Sequence, residues 1–344
     1  MATMKEVADF AEVSVATVSR VINKSGFVSP DLEVRVHEAM RQLKYQPSAL
    51  ARSLRRQQTQ LVGVLIPQLD HPFFSRLAFA IEKSLFPHEY HTFLCSAEED
   101  PDKEQAYTEI MLRQRVDGVL VVPTGQSTRS VEMLLEKNIP VVLIDRDLPD
   151  IKVSRVLVDN HRGGYTGMRH LLELGHRSIG VIGTPAYSHS MIQRMEGVRQ
   201  ALEEFDLDTS GLLMGSGLLD YFEMGYHHTK RLLQSRNRPT AIFALIDIAA
   251  IGAMHAAAEL GFRIPDDLSV MGYDDIPLAS FSVPTLTSVR QPIYEMGEVA
   301  SRLLLTHIRD RSRSVETMML DTGLSVRQST TAVGASSAAA SAGA

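Results

Sequence analysis

Residues 13–23 read Val13-Ser14-Val15-Ala16-Thr17-Val18-Ser19-Arg20-Val21-Ile22-Asn23, and their spacing decides how the start of the chain folds. Ser14 is a helix N-cap residue, its hydroxyl a ready acceptor for a backbone N–H of the first turn. Behind it Val18, Val21 and Ile22 share one helical face, while Val15, Ala16, Ser19, Arg20 and Asn23 lie opposite. Upstream, Thr3-Met4-Lys5-Glu6 is a capping box, so a first helix runs to about Ala11 and leaves only Glu12-Val13 as a tight break. Downstream, Ser29 caps a third helix that Pro30 opens, and Val36, Met40 and Leu43 form its apolar stripe. Two helices joined by a tight break, the second displaying small and polar side chains with one Arg, fit a helix-turn-helix whose second helix enters a major groove. Periodicity alone fits a plain three-helix bundle equally well.

Further along, the 344 residues exceed one ordinary domain and favour two or three. An apolar fraction of 44% with 22% charged residues argues for folded cores rather than wholesale disorder. No apolar run approaches the roughly 18 residues of a membrane span, and the first residues lack the apolar core of a signal peptide, so a cytoplasmic location with no membrane partner is expected. The single cysteine, Cys95, allows no intrachain disulfide, and its setting Thr92-Phe93-Leu94-Cys95 reads as a buried strand. Charge is unevenly placed: residues 1–60 hold nine Lys and Arg against six Asp and Glu, the remainder 26 against 35. A small basic head on an acidic body suits a head that meets phosphate.

From Leu61 the pattern becomes apolar strands alternating with helices. Strands are expected at Leu61–Pro67, His91–Ala97, Val116–Pro123 and Ile139–Asp145, with helices near 74–87, 103–115 and 129–137. A second array starts at Arg177-Ser178-Ile179-Gly180-Val181-Ile182-Gly183 and continues through helices 191–205 and 222–235, strand Ala241–Leu245, helix 247–260 and strand Leu268–Tyr273. The fold class is α/β: a three-helix head, then a body of two parallel-sheet halves with a cleft between them, where the strands' carboxyl ends should point. Asp145-Arg146-Asp147 and Asp274-Asp275 close strands there, and Arg194 lies near a helix start. Carboxylates and guanidinium groups together hold adjacent hydroxyls of a polyol in fixed geometry.

Met4-Lys5-Glu6-Val7-Ala8, the 13–23 segment and Tyr45-Gln46-Pro47-Ser48-Ala49-Leu50-Ala51-Arg52-Ser53-Leu54 together resemble the head of the lactose-repressor/galactose-repressor family of transcriptional regulators, most of all its purine-responsive member. The resemblance continues through Arg115-Val116-Asp117-Gly118, Val158-Asp159-Asn160, Gly175-His176-Arg177, Arg238-Pro239-Thr240-Ala241 and Ile264-Pro265-Asp266-Asp267. It implies a helix-turn-helix head at 1–46, a hinge helix at 47–60, and a body at 61–331 like a type I periplasmic sugar-binding protein, which binds effector and dimerises. The first half would comprise about 61–160 and 291–318, the second about 161–290 and 319–331, and 332–344 would be a disordered tail. No leucine heptads follow, which favours a homodimer over a tetramer.

By the same resemblance Val15, Ala16 and Arg20 reach base edges of double-stranded operator DNA, while Ser14, Thr17, Ser19, Asn23 and Tyr45 hold phosphates. Eight residues, Pro47 to Leu54, are too few for a lone helix in water; in the family such segments pair and fold in a minor groove, with Ala51 in the hinge, Leu54 as an apolar wedge and Arg55 following the groove. The effector contacts map onto Phe73, Phe74, Arg146, Ser190, Arg194, Asp220, Asp247 and Asp274. Where the purine-responsive member surrounds its base with Trp, Arg, Thr and Phe, this chain has Arg146, Ser188, Ser190 and Asp220. A sugar or sugar acid therefore fits better than a nucleobase or nucleoside corepressor.

Other chemistry is weakly signalled. Gly215-x-Gly217 meets Asp220 where a dinucleotide fingerprint needs glycine, and neither a P-loop nor a G-x-S-x-G elbow occurs, which speaks against a Rossmann-type enzyme. Adjacent His227 and His228 point to different sides of a helix, and His71 and His189 lack metal-spaced partners, so no metal and no cofactor is expected. A sugar-binding receptor without regulatory function would not carry the basic head. The expected function is a ligand-responsive, dimeric repressor of carbohydrate-utilisation genes.

Overall fold

A computed structural model describes residues 2–23, 25–45, 58–183, 189–208 and 220–334. The hinge segment, with Ala51, Leu54 and Arg55, and Ser188 lie outside the described residues. Two compact units appear, residues 1–60 and 61–344.

The head holds α1 (Met4–Phe10), α2 (Val15–Asn23) and α3 (Pro30–Gln42). Both bonds of the Thr3/Glu6 capping box form. Ser14 Oγ accepts from the Thr17 N–H at 3.1 Å, which starts α2, and Glu12 takes a left-handed φ of +51° in the break before it. Val7, Val18, Val21 and Val36 are buried in a core of the head's own, and Arg35 ties α3 to this break by donating to the Ala11 carbonyl at 2.6 Å.

In the body, β1 (Leu61–Ile66), α4 (Pro72–Leu85), β2 (His91–Ser96), α5 (Pro101–Gln114), β3 (Gly118–Val121), α6 (Arg129–Glu136), β4 (Val141–Ile144) and β5 (Ser154–Val158) build the first half. The second half takes α7 (Asn160–Glu173), β6 (Ile179–Ile182), α8 (His189–Glu203), α9 (Tyr221–Leu233), β7 (Ala241–Ala244), α10 (Asp247–Glu259), β8 (Ser269–Asp274), α11 (Pro277–Phe281) and β9 (Thr287–Arg290). The chain then returns through α12 (Ile293–Arg309) and β10 (Thr317–Leu320) to the first sheet and ends on β11 (Gly323–Ser325) in the second. Strand order is β10-β5-β4-β3-β1-β2 in one sheet and β11-β9-β8-β7-β6 in the other. Every pairing is parallel except β11 with β9. Both faces of the first sheet carry apolar cores, as parallel sheets covered by helices require. Among the described residues no helix is long and apolar enough to cross a membrane.

Several boundaries differ from expectation for local reasons. Prolines at the first helical position start α4 at Pro72 and α5 at Pro101, earlier than expected. The strand expected at Val116–Pro123 shortens to Gly118–Val121. The return to the second half, expected at 319, comes after Leu320 because β10 pairs with β5 through Leu320↔Val158. Val333, expected to lie in the tail, donates its N–H to the Leu174 carbonyl at 2.9 Å.

Two helix pairs of the second half pack closely through glycine. A Cβ on Gly164 of α7 would sit 2.0 Å from the Arg194 carbonyl oxygen, and one on Gly197 of α8 would sit 1.9 Å from that of His161. Gly225 of α9 and Gly252 of α10 meet the partner backbone in the same way, at 1.9 and 2.2 Å. The first of these crossings holds the helix that carries Arg194.

Candidate effector site and nucleic-acid interface

On α2 the buried side chains are Val18 and Val21, and the opposite face exposes Val15, Ala16 and Arg20. Asn23 is held by donating to the Ser19 carbonyl at 2.7 Å, and the Ser14 and Thr17 hydroxyls bond each other at 2.9 Å. The half-buried Tyr45 packs on the head core. Small side chains around one long cation leave a helix face able to seat deeply in a groove and fork onto guanine. The hydroxyls and amide along its edge suit phosphate oxygens.

The body's cleft is lined from both halves. The start of α4 supplies His71, Phe73 and Phe74, and the end of β4 supplies Asp145 and Arg146. From the second half come Ser190, Met191 and Arg194 of α8, Tyr221 of α9, Ile246 before α10, and Asp274 at the end of β8, with Gln291 after β9. The sheets thus aim their carboxyl ends at a shared crevice, the usual ligand position in open α/β folds. Asp145 and Asp274 both adopt positive φ, +65° and +112°, a strained backbone that turns each strand end into the site.

Each arginine is neutralised within its own half. Arg146 donates through two nitrogens to Glu99, at 2.7 and 2.8 Å, and its guanidinium lies 5.6 Å from the Phe74 ring centre. Burial works against the Arg146 charge, but bonding to Glu99 and the Glu99 charge raise its pKa beyond the ordinary value. Arg194 lies 3.4 Å from Asp274, donates to Asn160 Oδ1 at 2.9 Å and to the Leu245 carbonyl at 2.8 Å, and stacks 3.8 Å from the Tyr273 ring centre. Burial pushes the Asp274 carboxyl up to about 7, against the pull of Arg194 and of the Gln291 amide. Asp145 is likewise raised by burial, opposed by Arg194 and Arg146. His71 is pushed down to about 4 by burial and by the charges of Arg146 and Arg194, so its ring is neutral; its Nδ1 accepts from the Phe73 N–H. Across the cleft, Tyr221 Oη approaches Glu99 Oε1 at 3.5 Å.

Two buried oxygens in this site have no hydrogen-bond partner among the described residues, Asp145 Oδ1 and Gln291 Oε1. Both are acceptors, so the cleft asks for a ligand that donates.

Of the sequence-derived effector residues, Phe73, Phe74, Arg146, Ser190, Arg194 and Asp274 come together here. Asp220 does not: its carboxylate accepts from the N–H groups of Phe222 and Glu223 and caps α9, leaving the neighbouring Tyr221 to enter the site. Asp247 is also misplaced by sequence reasoning. It is fully buried behind the cleft, bonded to the Ser288 hydroxyl at 2.6 Å and the Ile276 N–H at 2.8 Å, and fastens α10 to the segment after β8. The reading missed Glu99, Tyr221 and Gln291 and treated His71 as an ordinary histidine. For Glu99 the only available signal was a long acidic side chain in the turn after a predicted strand.

Two family models match the chain. One described as "Bacterial regulatory proteins, lacI family" matches residues 3–48, and one described as "Periplasmic binding protein-like domain" matches residues 168–330. The transcriptional repressor PurR of Actinobacillus pleuropneumoniae is 37% identical over 90% of this chain and 92% of its own. The ribose operon repressor of Halalkalibacterium halodurans is also 37% identical, over 96% of this chain and 97% of its own. Among solved structures, the lac repressor dimer bound to operator and an anti-inducer superposes with a TM-score of 0.85 at 26% identity, covering 96% of this chain and 99% of that one. Proteins of this kind bind operator DNA as dimers and respond to small-molecule effectors. The chain belongs to the lacI family of bacterial regulatory proteins and is a ligand-responsive, DNA-binding transcriptional repressor, not an enzyme.

Proposed function

We propose that this repressor controls carbohydrate-utilisation genes in the cytoplasm and takes a neutral, polyhydroxylated effector, a sugar, in its cleft. The observation that carries the reading is the pair of unpartnered buried acceptors, Asp145 Oδ1 and Gln291 Oε1, in a site whose two arginines are already neutralised by Glu99 and Asp274. Vicinal hydroxyls satisfy such acceptors, and among the described residues of the site no free cation demands an acid. A nucleobase finds little to stack on, because Phe73 and Phe74 meet edge to face at 5.1 Å and the Arg146 guanidinium lies over the Phe74 ring. The space left in the cleft is about 50 Å³, below the roughly 300–1,000 Å³ of a typical ligand pocket, and on this reading the sugar enters as the halves part.

On DNA, Val15, Ala16 and Arg20 read base edges while Ser14, Thr17, Ser19, Asn23 and Tyr45 hold phosphates, and paired Pro47 to Leu54 segments of a dimer fold in the minor groove. The test is a thermal-shift screen of the full-length protein against ribose, glucose, gluconate, adenine and guanine. A ligand at 100 times its Kd adds about 2.7 kcal/mol to stability. A shift with a neutral sugar alone is expected. A shift with adenine or guanine instead, the direction in which the PurR name points, overturns the sugar assignment.

A further inference from the structure

We propose a second ligand site in the first half, at the end of its sheet opposite the effector cleft, that binds a small phosphorylated metabolite. A cavity of about 220 Å³ opens where β4 and β5 begin, beside the last turn of α12 and the chain that follows it. Four basic side chains line it: Lys152, His307, Arg311 and Arg313. Val141 and Val153 are among its apolar walls.

The basic groups are under-compensated. Lys152 forms no ion pair among the described residues. Among the described residues Arg313 pairs only with Asp310, with 3.7 Å between Nε and Oδ2, and that aspartate is also engaged by the Ser312 N–H and hydroxyl. Arg311 is anchored through one nitrogen to the Asn138 carbonyl, which holds its fork at the cavity rim. His307 is fixed by the fully buried Ser154, whose hydroxyl lies 2.8 Å from its Nε2 and accepts from the Glu316 N–H at 2.9 Å.

Cations near the end of α12 complement its helix dipole, but Lys152 and Arg313 lie outside that helix. The body as a whole is acidic, with 26 Lys and Arg against 35 Asp and Glu, so the concentration of positive charge at one concavity runs against its background. Arginine forks and an ammonium group converging on one cavity are the donor set that recognises a phosphoryl dianion. The apolar walls suit a short carbon skeleton. An open recess of this kind seats a small molecule better than it fits the convex backbone of a duplex.

The site lies at the end of the sheet where the chain enters the body. Leu61 opens β1, and only β3 separates β1 from β4. At about 4.8 Å between strands, that entry lies on the order of 10 Å from the start of β4. An occupant would therefore sit near the root of the linker.

Isothermal titration and thermal shift of the full-length protein with glycerol 3-phosphate and inorganic phosphate, against glycerol at matched ionic strength, test the proposal. Saturable binding of glycerol 3-phosphate is expected, weakened at least tenfold by Arg311→Gln and by Lys152→Gln, whose exposed side chains leave the melting temperature of the free protein in place. No saturable binding overturns it. Binding that survives both variants but is lost in Arg146→Gln assigns the anion to the effector cleft and overturns it too. So does a loss confined to operator affinity, which would make this surface a DNA phosphate contact.

Discussion

His71 sits between two guanidinium groups with a ring contact on either side, Phe74 at 5.3 Å and Tyr221 at 5.2 Å. Its folded pKa of about 4 lies below the ordinary 6.5, so on acidification the unfolded chain takes the proton first. Stability from this group is full above pH 6.5 and is lost as pH falls towards 4, by about 2 kcal/mol at pH 5. Asp274 works in the opposite sense. Raised to about 7, it favours the folded state most below the ordinary carboxylate range and loses that contribution as pH rises through 7. The two oppose each other, so the expected signal is a difference: His71→Asn, which keeps an acceptor to cap α4, should lose about 2 kcal/mol less than the parent between pH 7.5 and 5 in urea unfolding. Equal losses would mean that this histidine takes its proton as readily folded as unfolded, so that burial does not depress it. In the head, Arg20 is the one charged group on the exposed face of α2. Arg20→Ala should cost about 1–3 kcal/mol per half-site on operator and less on scrambled duplex. Equal weakening on both, in gel-shift titrations, would reassign it to phosphate.

Between elements, the α7–α8 crossing determines where Arg194 stands. Gly197→Ala puts a methyl against the His161 carbonyl, which must move because the contact is backbone rather than a flexible side chain. The expected cost is about 1–3 kcal/mol of stability, with a fall in effector affinity because Arg194 lies one turn earlier on the same helix. Calorimetric melting and ligand titration check both, and unchanged effector affinity in a destabilised variant would separate the crossing from the site. The same helix shows why part of the fold was hard to read. Periodicity exposed elements with one dominant apolar face, such as β1 and α2. It did not separate α7, which begins Asn160-His161-Arg162-Gly163-Gly164, because two glycines that close packing requires are poor helix formers. Nor did it reveal β5, whose half-buried Arg155 pairs with Asp147 and interrupts the apolar run. In the site, strand-ending Asp145, Arg146 and Asp274 were legible. Asp220 and Asp247 were misplaced because a carboxylate at a helix start reads the same whether it faces a ligand, caps its own helix as Asp220 does, or bonds a distant segment as Asp247 does. Gln291 stayed hidden because only the fold brings it to Asp274, 2.8 Å from Nε2 to Oδ1.

Across the whole molecule, the first half both lines the cleft and receives the chain from the head, at opposite ends of its sheet. That half contributes Phe73, Phe74, Asp145 and Arg146 to the site, and its sheet begins at Leu61, where the body starts. Arg194 and Asp274 belong to the other half, so a ligand bonded to both sides favours the closed arrangement, and only that difference in affinity can shift an equilibrium. The chain passes between halves after Val158, after Arg290 and after Leu320, which lets the halves rotate without breaking either sheet. On the proposed reading, closing both clefts of a dimer changes the spacing of the two points where the bodies begin, Leu61, and with it the fit to operator. Coupling of this kind is typically about 1–3 kcal/mol, roughly 5- to 150-fold, and must be reciprocal. Operator DNA should therefore change effector affinity by the same factor by which effector changes operator affinity. Asp274→Ala removes the partner of a buried arginine, and Gln291 keeps no bond to it, so the variant should keep operator binding within a few-fold but lose its response to effector. Fluorescence anisotropy on operator, with and without effector, reads both quantities. A fully responsive Asp274→Ala protein, or an effector affinity indifferent to operator, would remove the cleft from the switch.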